Sequence, residues 1–247
     1  MKQVEIGPDG ARMGYVEFPG RAPARIFLHG LGSSAPAYFA RIAADPALAG
    51  HRSIMLDLLG FGLSDRPARF GYALPDHAAA VAAALDRLDI RGADIIGHSM
   101  GGAIAIILAT ERPDLVRRLV AAEPSLMATR RPRLEGYSED TFAVEGFDKA
   151  LAAVGPAWAA TMRLADRRAL YRSERALGEG MIATVKSMLL ALAMPRTVIM
   201  GSRTPVAAAE RELIAAGIPL VRIADAGHNM MLDNPSAFAD ALVQALA

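Results

Sequence analysis

Gly97-His98-Ser99-Met100-Gly101 sets a serine between an apolar run that reads as a strand, Ala93 to Ile96, and one that reads as a helix, Met100 to Thr110. A serine on a sharp strand-to-helix turn has a strained backbone, so the residues two away on either side must lack bulk. Gly97 and Gly101 meet that requirement, and Gly102 adds clearance. The amides opening the following helix point at any negative charge forming beside the hydroxyl, as attack on a carbonyl carbon requires. The expected chemistry is acyl transfer, with Ser99 as nucleophile and the Met100 N–H as one donor to the oxyanion.

A serine hydroxyl needs a base, and the chain offers five histidines: His29, His51, His77, His98 and His228. His51 precedes a strand on an expected solvated loop, and His77 lies in the first turn of an Ala-rich helix. His98 adjoins the serine and should point away from it. His29 ends a strand beside a loop that must approach the serine, so it is expected to order that loop. His228, in Ala226-Gly227-His228-Asn229 just past the last strand, is left as the base, at the carboxyl edge where open α/β sheets bind ligands. The second oxyanion donor is expected from Gly30-Leu31-Gly32, where glycines allow close approach; the amide chosen is that of Leu31.

The elements that must position these groups follow from periodicity and turn signals. Val4 to Ile6 and Met13 to Phe18 flank Pro8-Asp9-Gly10 and predict a hairpin. Strands are expected at Arg25 to Leu28, Ser53 to Leu56, Ala93 to Ile96, Val116 to Ala122, Arg196 to Met200 and Pro219 to Ile223. Helices are expected at Pro36 to Leu48, Asp76 to about Leu88, Met100 to Thr110, about Pro205 to Ala216, and from Asn234-Pro235 onward. This alternation predicts an α/β fold, a doubly wound, mostly parallel sheet. It breaks between Glu123 and Pro195, where helical spacing punctuated by glycines predicts an inserted cap. The domains are thus a core of 1–125 with 195–247 and a cap of 126–194.

Four blocks, His29-Gly30-Leu31-Gly32, Asp57-Leu58-Leu59-Gly60-Phe61-Gly62-Leu63-Ser64, Gly97-His98-Ser99-Met100-Gly101-Gly102 and Gly227-His228, occur in this order. With them the chain resembles the α/β-hydrolase family over its whole length apart from the cap. The resemblance implies an eight-stranded sheet and a triad running nucleophile, acid, histidine, with Ser99 and His228 first and last. The family commonly carries the acid after the strand that follows the cap, but here that stretch reads Gly201-Ser202-Arg203-Thr204-Pro205, without a carboxylate. Some members carry it after the preceding strand, which points to Glu123; Asp225 is the rival.

The mechanism expected is a covalent acyl-enzyme on a small carboxylic ester or lactone. A thioester, a carbon–carbon bond, or non-enzymatic ligand reception on the same scaffold remain alternatives. No cofactor and no metal are expected. The absence of cysteine excludes a thiol nucleophile and Cys-ligated metals. Lys+Arg of 27 against Asp+Glu of 26 gives no electrostatic footprint for nucleic acid or a membrane, and with no secretory signal in view the protein is expected in the cytoplasm. Arg130, Arg131 and Arg133 are read as a solvated face rather than an anion site. Trp158, Met162, Met181, Met188, Met194, Met230 and Met231 are read as core at helical spacing, with a methionine-lined acyl pocket as the alternative. Nothing in the sequence specifies an oligomeric state.

Overall fold

A computed structural model of the chain describes every residue except 8, 180–181 and 206–207, and only the backbone of 183 and 208. Its eight strands are β1 (Lys2–Ile6), β2 (Ala11–Phe18), β3 (Arg21–Leu28), β4 (His51–Leu56), β5 (Ala93–His98), β6 (Val116–Ala122), β7 (Arg196–Gly201) and β8 (Leu220–Ile223). They form one sheet in the order β1-β2-β4-β3-β5-β6-β7-β8. β2 runs antiparallel to β1 and β4, and the other pairings are parallel. The expected α/β sheet is therefore present. Within the expected hairpin turn, Gly7 and Gly10 hold φ of 70° and 68°, and Pro8 lies outside the described residues.

Alternation along the strands splits the core into two layers. Ile26, Leu28, Ile54, Ile95, Leu119 and Val198 face one way, against α2 (Leu74–Arg87) and α3 (Met100–Glu111). Phe27, Met55, Ile96, Val120 and Ile199 face the other, against α1 (Ala35–Ala43) and the C-terminal helices. β3 lies between β4 and β5 although it precedes both. The connections leaving β3 and β5 thus diverge at their carboxyl ends, which opens the crevice that such sheets use for ligands. α3 is buried from Met100 to Ala109, so it sits at the centre of its layer rather than lying on the surface.

Several boundaries differ from the sequence reading. α1 stops at Ala43, not Leu48, because Pro46 cannot continue a helix. α2 starts at Leu74 rather than Asp76; the Asp76 carboxylate is at the third helical position and accepts from the Ala73 N–H at 3.0 Å. β3 begins at Arg21. Its first residues pair only with β4 and its pairing with β5 starts at Arg25, so Pro23 fits where no second ladder is required. His51, expected on a solvated loop, opens β4 and is partly buried beside the Pro23 carbonyl.

Between β6 and β7 the described helices are α4 (Glu139–Thr141), α5 (Phe147–Ala153), α6 (Pro156–Met162), α7 (Arg167–Ala176) and α8 (Ile182–Ala191). A π-turn at Phe142–Gly146 joins the first two. The rest is α9 (Ala208–Ala215), with 206–207 of the expected Pro205 to Ala216 helix outside the described residues, then α10 (Met230–Asp233) and α11 (Pro235–Leu246). Among the described residues no helix is long and apolar enough to cross a membrane, and no cluster of His, Asp and Glu has the geometry to hold a metal ion.

The interhelical segment is tied to the strand-end loops by hydrogen bonds. The Trp158 indole N–H donates to the Leu31 carbonyl at 2.8 Å, Thr161 Oγ1 to the Gly32 carbonyl at 3.2 Å, and the Asp166 amide to the Gly60 carbonyl at 2.8 Å. Met162 is fully buried in that packing, and Met188 and Met194 pack against the same core. Met230 and Met231 belong to the opposite layer, and Met181 lies outside the described residues. Asp57, itself fully buried, holds the loops together from beneath. Its carboxylate accepts from the Ala35 amide at 2.7 Å, the Leu63 amide at 2.9 Å and the Ser34 hydroxyl at 3.2 Å.

Two predictions follow from this packing. His77 and His98 are fully enclosed, and burial lowers both pKa values to about 3 from 6.5. The unfolded chain then takes up protons below pH 6.5 that the folded chain refuses, so stability present above that pH is lost as pH falls toward 3. Urea unfolding at pH 7 and pH 5 should differ by about 2 kcal/mol per histidine, and His77→Gln should remove its share; an unchanged midpoint contradicts the assignment. At Gly101, an added Cβ would lie 2.5 Å from the carbonyl oxygens of both Leu28 and His29. Gly101→Ala should cost about 3 kcal/mol or more in the same assay, because backbone on the far side cannot yield.

Candidate active site

Ser99 stands between the last residue of β5 and the first of α3, with φ of 55° and ψ of −117°. That left-handed backbone is costly for a residue with a side chain and persists only where packing imposes it. Gly97, Gly101 and Gly30 impose it by close approach: a Cβ at Gly30 would come within 3.1 Å of Ser99 Cβ and of His98 Nδ1. The Ser99 amide donates to the Ala122 carbonyl at 2.9 Å, joining the turn to the end of β6.

His228 reaches Ser99 from the loop after β8. Its Nε2 lies 3.0 Å from Ser99 Oγ, and its Nδ1 lies 3.5 Å from Glu123 Oε2. Glu123 follows the last residue of β6, also at positive φ (46°), and is 6% exposed. Its other oxygen accepts from the Gly201 amide at 2.8 Å. Burial alone would raise its pKa, but hydrogen bonds from His228, Thr204 and the Gly201 amide outweigh it and hold the carboxyl below its usual value. Asp225 is exposed beyond β8, and among the described residues its carboxylate has no hydrogen bond or ion pair.

Three further histidine environments are explained by their partners. His98 Nε2 donates to the His228 carbonyl at 2.8 Å, and the two rings lie 4.8 Å apart, so the residue beside Ser99 holds the loop that carries His228. The His29 ring accepts from the Leu58 amide at Nε2 (3.0 Å), which leaves its Nδ1–H to donate to the Gly30 carbonyl at 2.7 Å. It therefore ties the loop after β3 to the loop after β4. His77 Nε2 lies 3.1 Å from Ser173 Oγ on α7. The His228 loop is also held by the Gly227 amide, which donates to Asp233 at 2.8 Å, and by Arg203, which donates to the Asp225 carbonyl.

Leu31, in the loop after β3, walls a cavity together with Ser99, and Met100 follows Ser99 as the first residue of α3. Among the described loop and turn hydrogen bonds neither amide has a carbonyl to donate to. Two cavities meet at Ser99, Ser125, Arg131 and His228. One, of about 240 Å³, is walled by Gly30, Leu31, Tyr38, Trp158 and Arg133. The other, of about 370 Å³, is walled by Leu126, Met127, Val198, Met200 and Leu213. The arrangement can pass a proton from a hydroxyl to an imidazole whose far nitrogen faces a carboxylate.

The sequence reading missed Ser125, Tyr38 and the apolar wall of Met127 and Met200. Their types carry no chemical signal, and only the folded loops bring them to Ser99. It also misplaced part of the arginine run. Arg131 and Arg133 are half-buried walls of the site rather than a solvated face; Arg130 alone is exposed, paired with Glu135 at 2.5 Å.

Residues 23–169 match the family model of the alpha/beta hydrolase fold. Among curated proteins, 99 residues are 42% identical to 2-hydroxymuconate semialdehyde hydrolase of Pseudomonas sp. (strain CF600), covering 38% of this chain and 34% of that protein. The chain thus matches about a third of that relative's length. The solved enol-lactonase from Burkholderia xenovorans LB400 superposes with a TM-score of 0.83 at 22% identity over 99% of both chains. Est816, described as an N-acyl homoserine lactone degrading enzyme, gives 0.75 at 26% identity over 97% of this chain and 98% of its own. The match spans more than half the chain and includes the turn around Ser99, and the sheet order agrees with it: this chain belongs to the alpha/beta hydrolase fold family.

Proposed function

We propose that this chain is a serine hydrolase that cleaves a small carboxylic ester or lactone through a covalent acyl-enzyme. The observation that carries the reading is the line from Ser99 Oγ to His228 Nε2 (3.0 Å) and from His228 Nδ1 to Glu123 (3.5 Å), set on three different strand ends. In this reading His228 takes the hydroxyl proton as Ser99 attacks the carbonyl carbon. Glu123 fixes the tautomer with Nδ1 protonated and stabilises the imidazolium that forms. The Leu31 and Met100 amides receive the oxyanion. The imidazolium then returns its proton to the leaving oxygen, and water activated by the same imidazole releases the acid. The helices of 126–194 act as the cap over this site. Cofactor and metal have no part in the steps. Similarity to Est816 supports a lactone among the substrates.

A second reading has its own support. The 42% identity to a hydrolase named for 2-hydroxymuconate semialdehyde favours hydrolysis of a carbon–carbon bond next to a carbonyl by the same groups. A substrate panel of short aryl esters, lactones and 1,3-diketones separates the two. Hydrolysis of the esters or lactones with inert diketones is expected, and the reverse pattern would replace the first reading by the second.

The roles are tested by three variants with a short 4-nitrophenyl ester. Ser99→Ala should lower kcat by about 10⁴-fold or more without altering the fold, since the hydroxyl alone forms the acyl-enzyme. Glu123→Gln should lower it by on the order of 10²- to 10⁴-fold, as loss of the tautomer-fixing acid does in serine proteases. Asp225→Asn, changing an exposed carboxylate without partners among the described residues, should stay within about threefold of the parent. An active Glu123→Gln beside a dead Asp225→Asn would overturn the choice of acid.

A further inference from the structure

Beyond β6, three arginines fall within the four positions 130–133, and their partners differ. Arg130 pairs with Glu135 and Arg133 with the buried Glu174 at 2.7 Å, where its guanidinium also stacks over Trp158 at 4.8 Å. Arg131 lies between them and forms a wall of both cavities at Ser99. Among the described residues no carboxylate lies within ion-pair distance of it. Its one described hydrogen bond runs from Nη2 to the Leu177 carbonyl at 3.0 Å, and its Nε–H is buried without an acceptor. A half-buried guanidinium whose Nε–H is enclosed and unpaired, and whose described partner is a neutral carbonyl, lacks a counter-charge.

We propose that Arg131 completes that pair with a carboxylate of the substrate, so that the carbonyl compound cleaved at Ser99 is an anion. The inference rests on the reading of Ser99 as nucleophile and adds the substrate's charge to it. One guanidinium presents a flat fork that fits the two oxygens of a carboxylate. A phosphate would call on a second free cation, and Arg133 is already committed to Glu174. A compact space of about 240 Å³ is only about 8 Å across, which puts a group held at Arg131 within a few bonds of a carbonyl at Ser99. Burial disfavours the charge on Arg131 and Arg133 adds to that, while Glu174 alone offsets it; an anion in the cavity supplies the missing counter-charge.

The test uses two matched pairs of esters: mono-4-nitrophenyl adipate against 4-nitrophenyl hexanoate, with the anion on the acyl side, and 4-carboxyphenyl acetate against 4-tolyl acetate, with the anion on the alcohol side. At least one anionic ester should exceed its neutral partner by tenfold or more in kcat/KM. Arg131→Gln should bring that ratio close to one, Arg131→Lys should restore part of it, and Arg130→Gln should leave it as in the parent. Equal or better turnover of both neutral esters overturns the carboxylate site and leaves the role of Ser99 intact. Should none of the four be hydrolysed, the reading of Ser99 fails instead, and binding of adipate and of benzoate decides the site independently. Calorimetric titration should then give a Kd raised tenfold or more by Arg131→Gln for one of the two; no binding, or equal binding by parent and variant, overturns it.

Discussion

Ser99 is held in a left-handed backbone because the chain around it leaves no other place for it, and most of the molecule serves that contact. The central helix behind it approaches β3 so closely that Gly101 rests against the carbonyl oxygens of Leu28 and His29. A side chain at position 101 would push the helix away and let the serine relax. The loop after β3 closes on the same turn, where a Cβ at Gly30 would come within 3.1 Å of Ser99 Cβ. The strain at Ser99 is offset by the buried layers on either side of the sheet, which give the helix no freedom to retreat.

Around that fixed turn, histidines and one aspartate act as ties between loops. His98 binds the His228 loop, His29 joins the loops after β3 and β4, and Asp57 gathers Ser34, Ala35 and Leu63. Each tie is a hydrogen bond in a buried setting, where an unmade bond is expensive and a made one is directional. The neutral state of the buried imidazoles follows from the same enclosure. Loops are ordinarily the mobile part of a fold, and here those that carry the candidate site are pinned to one another rather than to the strands alone.

Much of this was legible in the sequence because it is encoded by glycine spacing and strand alternation. The sheet, the strand-end positions of Ser99, Glu123 and His228, and the central helix all follow from short-range patterns whose physical cause is local. The ends of α1 and α2 were misjudged because proline and a capping aspartate act over one or two residues, below the resolution of apolar periodicity. The partition of the three arginines was not legible at all. Arg130, Arg131 and Arg133 have the same chemistry and nearly the same context in sequence, and only the arrival of Glu174 from α7 and Leu177 beyond it separates them. Cavity walls such as Met127 and Met200 were equally silent, since an apolar side chain reads alike whether it faces a core or a void.

The carboxylate of Glu123 and the hydroxyl of Thr204 meet across a single hydrogen bond, and Thr204 occupies the segment where the family commonly places its acid. An aspartate at that position in the presence of Glu123 would set two acids within contact of one another, where both cannot ionise and one proton must be shared. A chain with aspartate at 204 and Glu123 retained would therefore hold its two carboxyls at displaced titrations, one still protonated where a lone acid is ionised. The threonine hydroxyl, able to donate, stands beside Glu123 without that competition.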